Sequence, residues 1–168
     1  MKPKTVGRFD GRIPVRRLVD PPCGVIHGTI VLSMDGEIPV EFLSVGDRVI
    51  SRDKGMVRVT EIQTGVASIR PVLISQSSLG HDRPQGDILV HPKQSILIRD
   101  WRAQALYGAA QAMIPAEQLI DGEFVRFAED VRRYRFTAIC CDEIETLYAG
   151  GLEIGSQTRV DVSAPQVA

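Results

Sequence analysis

The chain has 168 residues and a mass of 18.5 kDa, the span of one domain or one domain with tails. Lysine and arginine number 20 and the acids 21, a net charge of −1 that argues against generic nucleic-acid binding, which ordinarily leaves a basic excess. A hydrophobic share of 43% excludes a disordered chain, and the odd count of 3 cysteines excludes a full disulfide framework.

Residues 1–22 read as a basic arm. Lys2, Lys4, Arg8, Arg12, Arg16 and Arg17 face only Asp10 and Asp20, a charge of +4, and Pro21-Pro22 closes the segment. Such an arm is either a solvated tail or a docking segment for an acidic protein partner. It lacks the apolar core of a secretory signal, and no stretch of the chain reaches the roughly 18 apolar residues that span a bilayer. The expected location is therefore the cytoplasm, or outside the cell by a route without a classical signal, with neither membrane nor nucleic acid as partner. The folded part is expected over residues 23–155, with a second tail over residues 156–168.

Strand signals dominate that folded part. Thr29-Ile30-Val31-Leu32 is β-branched and apolar, and Asp35-Gly36 after it is a tight hairpin signal. Arg48-Val49-Ile50-Ser51 follows the turn Val45-Gly46-Asp47, and a further strand is expected over residues 56–62 after Asp53-Lys54-Gly55. Val72-Leu73-Ile74-Ser75, Ile88-Leu89-Val90 and Ser95-Ile96-Leu97-Ile98 complete a series of short, closely spaced strands, the pattern of an all-β domain. One short helix is expected near residues 115–121, with Pro115 at its start and Gly122 past its end. Residues 123–149 contain neither Gly nor Pro, and their periodicity alone leaves helix and strand equally open.

Cysteines and histidines are the reactive residues on offer. Cys140 and Cys141 are adjacent, so on a strand they face opposite ways and cannot share a metal; no Cys-x-x-Cys or His-x-x-x-His pair exists, and no metal or cofactor is expected. Cys140 beside Ile139 reads as a small buried apolar residue. Cys23 stands where the arm ends, placed either as a plain linker thiol or as a nucleophile toward the carbonyl of Pro22. His27, His81 and His91 are isolated. His91 is the candidate among them, because it opens the turn His91-Pro92-Lys93-Gln94 between two strands.

Three blocks together carry a family resemblance: Gly28-Thr29-Ile30-Val31, Asp35-Gly36-Glu37-Ile38-Pro39-Val40-Glu41-Phe42-Leu43, and Val45-Gly46-Asp47-Arg48-Val49. They resemble the opening of the Hint domain, the hedgehog/intein self-processing module, in its bacterial stand-alone branch. Leu89-Val90-His91-Pro92-Lys93-Gln94-Ser95 is similar to its central Pro-x-His segment, and Leu147-Tyr148-Ala149-Gly150-Gly151-Leu152 to its closing strand. The resemblance implies a horseshoe of short, mostly antiparallel strands. It turns residues 123–149 into strands near 123–127, 133–140 and 145–149.

The resemblance also implies a reaction. A nucleophile at the first core residue converts the preceding peptide bond into a (thio)ester, and a histidine protonates the leaving amine. In this chain the nucleophile position falls on Gly24, the Pro-x-His histidine on Gln94 and a late histidine on Ile144; the neighbouring aspartate is kept as Asp142. The expectation is a degenerate Hint-fold module that binds or supports rather than self-processes. The alternative is residual autoproteolysis at Pro22-Cys23 by an N-to-S acyl shift, with Cys23 as nucleophile, His91 as acid and Asp142 as helper.

Overall fold

The computed structural model describes residues 23–158; the expected arm and the tail beyond Thr158 lie outside the described residues. In chain order the strands are β1 (Val25–Ile26), β2 (Ile30–Ser33), β3 (Gly36–Pro39), β4 (Arg48–Ser51), β5 (Gly55–Arg58), β6 (Glu61–Ile69), β7 (Val72–Ile74), β8 (Ile88–Val90) and β9 (Ser95–Ile98). Helix α1 (Trp101–Tyr107) follows, then β10 (Ala112–Pro115), β11 (Val125–Phe127), β12 (Arg132–Cys141), β13 (Thr146–Ala149), β14 (Leu152–Gly155) and β15 (Gln157–Thr158).

The architecture is all-β, as expected, and residues 123–149 are strands. The run expected over residues 56–62 divides at Val59-Thr60. There the Val59 amide donates to the Asp47 carbonyl at 2.8 Å and the Thr60 amide to the Cys140 carbonyl at 2.9 Å, which turns the chain from one sheet into the other. The expected helical segment is a single 3-10 turn, Ala116–Leu119. The α-helix lies earlier, at Trp101–Tyr107, where no element was expected. Asp100 caps it by accepting from the Arg102 amide at 2.9 Å, and Gly108 ends it in the left-handed region at φ 65°.

The strands form two sheets. The first has the order β11-β7-β8-β1-β12-β15, with β6 on the other edge of β12; the second has β10-β9-β14-β13-β2-β4-β5, with β3 beside β2. Every pairing among the described residues is antiparallel except β12 with β15. The core lies between the sheets and is aliphatic: Val25, Val31, Val49, Ile96, Ile114 and Leu147 are all fully buried. Each such side chain contributes about 1.5–3 kcal/mol through water exclusion alone. Along β12 the six residues from Phe136 to Cys141 are buried without a break, so this strand is covered on both faces.

The hairpin between β13 and β14 turns on Gly150-Gly151, at φ 61° and 74°. A two-residue hairpin loop needs this mirror-image backbone, and glycine adopts it without strain. A Cβ at Gly151 would also lie 2.8 Å from the Gln85 amide nitrogen, so the loop ahead of β8 seats directly on this turn.

That loop is held by a buried carboxylate. Glu153 of β14 has a side chain only 7% exposed. Its Oε2 accepts from Arg83 at 2.7 Å and pairs with Arg99 at 2.9 Å, while its Oε1 lies 3.3 Å from Arg52 Nε. The three arginines come from the loop ahead of β8, the end of β9 and the end of β4. One carboxylate thus fastens three remote segments to the second sheet. Glu153→Gln would leave three guanidinium groups facing one another without their anion. A loss of about 3 kcal/mol is expected, measured as a lowered urea midpoint; an unchanged midpoint would show that the arginines are accommodated by solvent instead.

Candidate functional site

Strand β1 is two residues long, yet it is the hinge of the site. Val25 pairs with Thr137 of β12 on one side and with Val90 of β8 on the other. Carrying both registers one residue toward the N-terminus sets Gly24 between Ala138 and His91. A Cβ built at Gly24 would lie 2.9 Å from the Thr137 carbonyl oxygen and 3.2 Å from the Ala138 nitrogen. The backbone of β12 therefore occupies the space that any side chain at position 24 would need. This closeness, rather than a need for unusual dihedrals, is what requires glycine here.

Cys23 sits in the bend before β1, only 5% exposed. Its sulfur receives a hydrogen bond from Gln157 Nε2 at 2.7 Å, and Gln157 lies in β15 opposite Cys140. Burial pushes the Cys23 thiol up to about 11, because a thiolate there would lose its hydration. Cys140 is pushed up to about 11 as well, first by burial and then by the charge of Glu61. An amide donor such as Gln157 orients the sulfur but cannot take its proton.

His91 lies alongside Gly24 with its ring set edge-on against Phe136, the centroids 5.1 Å apart. The backbone amide of Lys93 donates to His91 Nδ1 at 3.1 Å, which makes Nε2 the protonated nitrogen of the neutral ring. Register thus brings Cys23 and His91 to the same end of β1. Asp142 is not gathered with them. It lies exposed on the turn after β12, four residues along from Ala138, about 13 Å at the usual rise of a strand. Ile144, on the same turn, is 71% exposed.

Gln94 takes a wholly internal place. It is 2% exposed, and its Nε2 donates to the carbonyls of Ser95 and Gly155, both at 3.0 Å. Its backbone amide donates to the His91 carbonyl at 2.9 Å, and its carbonyl accepts from Ala116 at 2.9 Å. The residue closes the His91 turn and ties β9 to β14 beside the parting of the sheets.

Sequence reasoning missed several members of this region. Gln157 was assigned to a tail, yet it is the partner of Cys23. His27, set aside as isolated, brings Nε2 within 3.2 Å of the Thr137 hydroxyl, next to the carbonyl that crowds Gly24. Glu145 is buried and accepts from Ser51 Oγ at 2.9 Å, with Lys54 Nζ at 2.8 Å. The hydrogen bonds that the Lys54 ammonium donates to Glu143 and Glu145 hold it firmly protonated, above its ordinary range. Among the described residues no three His, Cys, Asp or Glu side chains converge as a bound metal would require.

Two wrapped β-sheets, entered by a short strand behind a buried cysteine, define an intein-like architecture. Comparison with solved structures agrees. An intein-like domain from Clostridium thermocellum superposes with a TM-score of 0.59 at 14% identity, covering 80% of this chain and 98% of that one. The AceL NrdHF class 3 split intein gives a TM-score of 0.53 at 10% identity, covering 81% of this chain and 99% of that one. None of the curated protein sequences matches. The family model described as Hint domain matches residues 23–161, and the chain belongs to the Hint domain family.

Two outcomes follow from this geometry. Gly24→Ala should cost about 1–3 kcal/mol, read as a lowered thermal midpoint, because the added methyl must displace the β12 backbone. With its thiol near 11, roughly one Cys23 in a thousand is ionised at pH 8. Alkylation of Cys23 by iodoacetamide in the native protein, followed by mass spectrometry, should therefore speed up about tenfold per pH unit from 7 to 10. A rate already level at pH 8 would mean that the thiol is activated.

Proposed function

We infer that this Hint domain serves as a binding or structural module and does not cleave its own chain. The observation that carries this reading is the Gln94 side chain. At the position where the resemblance implies a proton-donating histidine, a buried amide is committed to two backbone carbonyls of β9 and β14. An amide cannot deliver a proton to a leaving amine, and lack of a general acid costs about 10²–10⁴ in rate. The sealed position at Gly24 and the solvent-facing Ile144 support the same reading.

A second reading keeps one specific support: the family match opens on Cys23 itself, and His91 lies at the same end of β1. In this reaction the Cys23 thiol loses its proton to solvent, which returns a proton to His91, the sulfur attacks the Pro22 carbonyl carbon and the Pro22–Cys23 C–N bond breaks. The Cys23 amine leaves with a proton from His91, and water then hydrolyses the thioester. The raised thiol, held by an amide donor from Gln157, weighs against it.

Intact mass decides between them. The purified full chain should hold a single mass of 18.5 kDa through days of incubation, with or without dithiothreitol, and Gln94→His should not change this. Appearance of a product beginning at Cys23, abolished by Cys23→Ala, would overturn the first reading and establish the second.

A further inference from the structure

The outer part of the β6–β12 ladder stands apart from both the core and the Cys23 region. Strand β6 pairs with β12 along its whole length, from Glu61 opposite Cys140 to Ile69 opposite Arg132. No strand among the described residues pairs with its other edge. In an antiparallel strand every second residue turns both its N–H and its C=O away from the partner, so this edge offers about four such donor–acceptor pairs. Edges of this length are ordinarily guarded by lysine, proline or a bulge. Glu61–Ile69 contains no proline, no lysine and no arginine, and its register is unbroken.

Charge supplies the second observation. Arg133 and Arg135 stand in register with Ser68 and Val66, on the same face of the ladder, and all four are exposed. Neither arginine makes an ion pair among the described residues. Arg70, Arg126 and Arg132 lie around the same end, and the acids of residues 126–135 are Glu129 and Asp130 alone. Asp130 is paired with Arg132 at 3.4 Å, and Arg70 lies over the Phe127 ring at 5.6 Å. A chain of net charge −1 thus carries a local arginine excess near the one long, open strand edge among the described residues.

We propose that the free edge of β6 is a docking site for an extended acidic segment of a partner protein, which adds as a further strand with its carboxylates facing the long side chains of Arg133 and Arg135 across Ser68 and Val66. Only a peptide backbone matches alternating N–H and C=O groups, and a nucleic acid has no equivalent row of donors and acceptors. The arginines select acids over bases among peptides. The chain's own arm, at +4 over residues 1–22, has the wrong sign to fill the site. The site is independent of Cys23, so it stands whether or not the chain cleaves itself.

The test uses the full-length protein and a fluorescent peptide of about ten residues alternating Asp or Glu with Val or Thr. Binding is read by fluorescence anisotropy, and the contacted amides by hydrogen exchange. The proposal expects binding, slowed exchange at Thr64, Val66 or their β6 neighbours, and loss of binding when alternate peptide nitrogens are methylated. Arg133→Glu with Arg135→Glu should weaken binding at least tenfold while the circular dichroism spectrum stays unchanged, because both side chains are exposed. Three results would overturn it: no binding, binding indifferent to N-methylation and matched by a poly-dT oligonucleotide, or protection of β6 that appears only as the protein itself dimerises. N-methylation is a change in the probe, so that arm holds even where the arginine variants fail to fold.

Discussion

The structure hangs on β12. It is paired along both edges, with β6 on one side and β1 and β15 on the other, and its residues from Phe136 to Cys141 show no side chain to solvent. A strand so enclosed cannot move without carrying its neighbours, because close-packed surroundings transmit displacement rather than absorb it. The position of β1 follows from this. Its two residues are fixed by Thr137 and Phe136, and Gly24 is pressed against the Thr137 carbonyl. Where β1 goes, Cys23 and His91 go too.

Polar groups inside the fold serve the same end. Gln94 joins β9 to β14, Gln157 reaches from β15 to Cys23, Glu145 holds Ser51 and Lys54, and Glu153 collects three arginines. Gln94, Glu145 and Glu153 are buried, Gln157 is half-buried, and each has polar partners, which is the condition under which buried polar groups specify one arrangement instead of weakening it. They lie where strands from distant parts of the sequence meet, and aliphatic contacts between such strands are not directional. The hydrogen bonds set the register that the core alone leaves loose.

Much of the fold was legible in the residues. Alternation and β-branched runs marked β2, β4, β7, β8 and β9 to within a residue or so, because each lies between Gly, Asp or Pro turns. β12 was not legible by periodicity. Buried on both faces, it has no polar alternate face, and Phe136-Thr137-Ala138-Ile139-Cys140-Cys141 reads as well for a buried helix as for a strand. Only the family resemblance resolved it. The missed helix α1 did have its signals, Asp100 before and Gly108 after, but seven residues give periodicity too little length to register. At the site, the side chains were legible and their partners were not. Cys23, His91 and Gln94 stand out in sequence, whereas Gln157, 134 residues from Cys23, becomes a neighbour only through β-pairing.

The crowding of Gly24 has an evolutionary consequence. A position closed by a neighbouring backbone cannot be reopened by exchanging its residue, because serine, threonine and cysteine all begin with the same Cβ that meets the Thr137 carbonyl. Single-nucleotide substitutions at that codon lead nowhere useful. A side chain could return there only if β12 itself moved, and with it the strands paired along both of its edges.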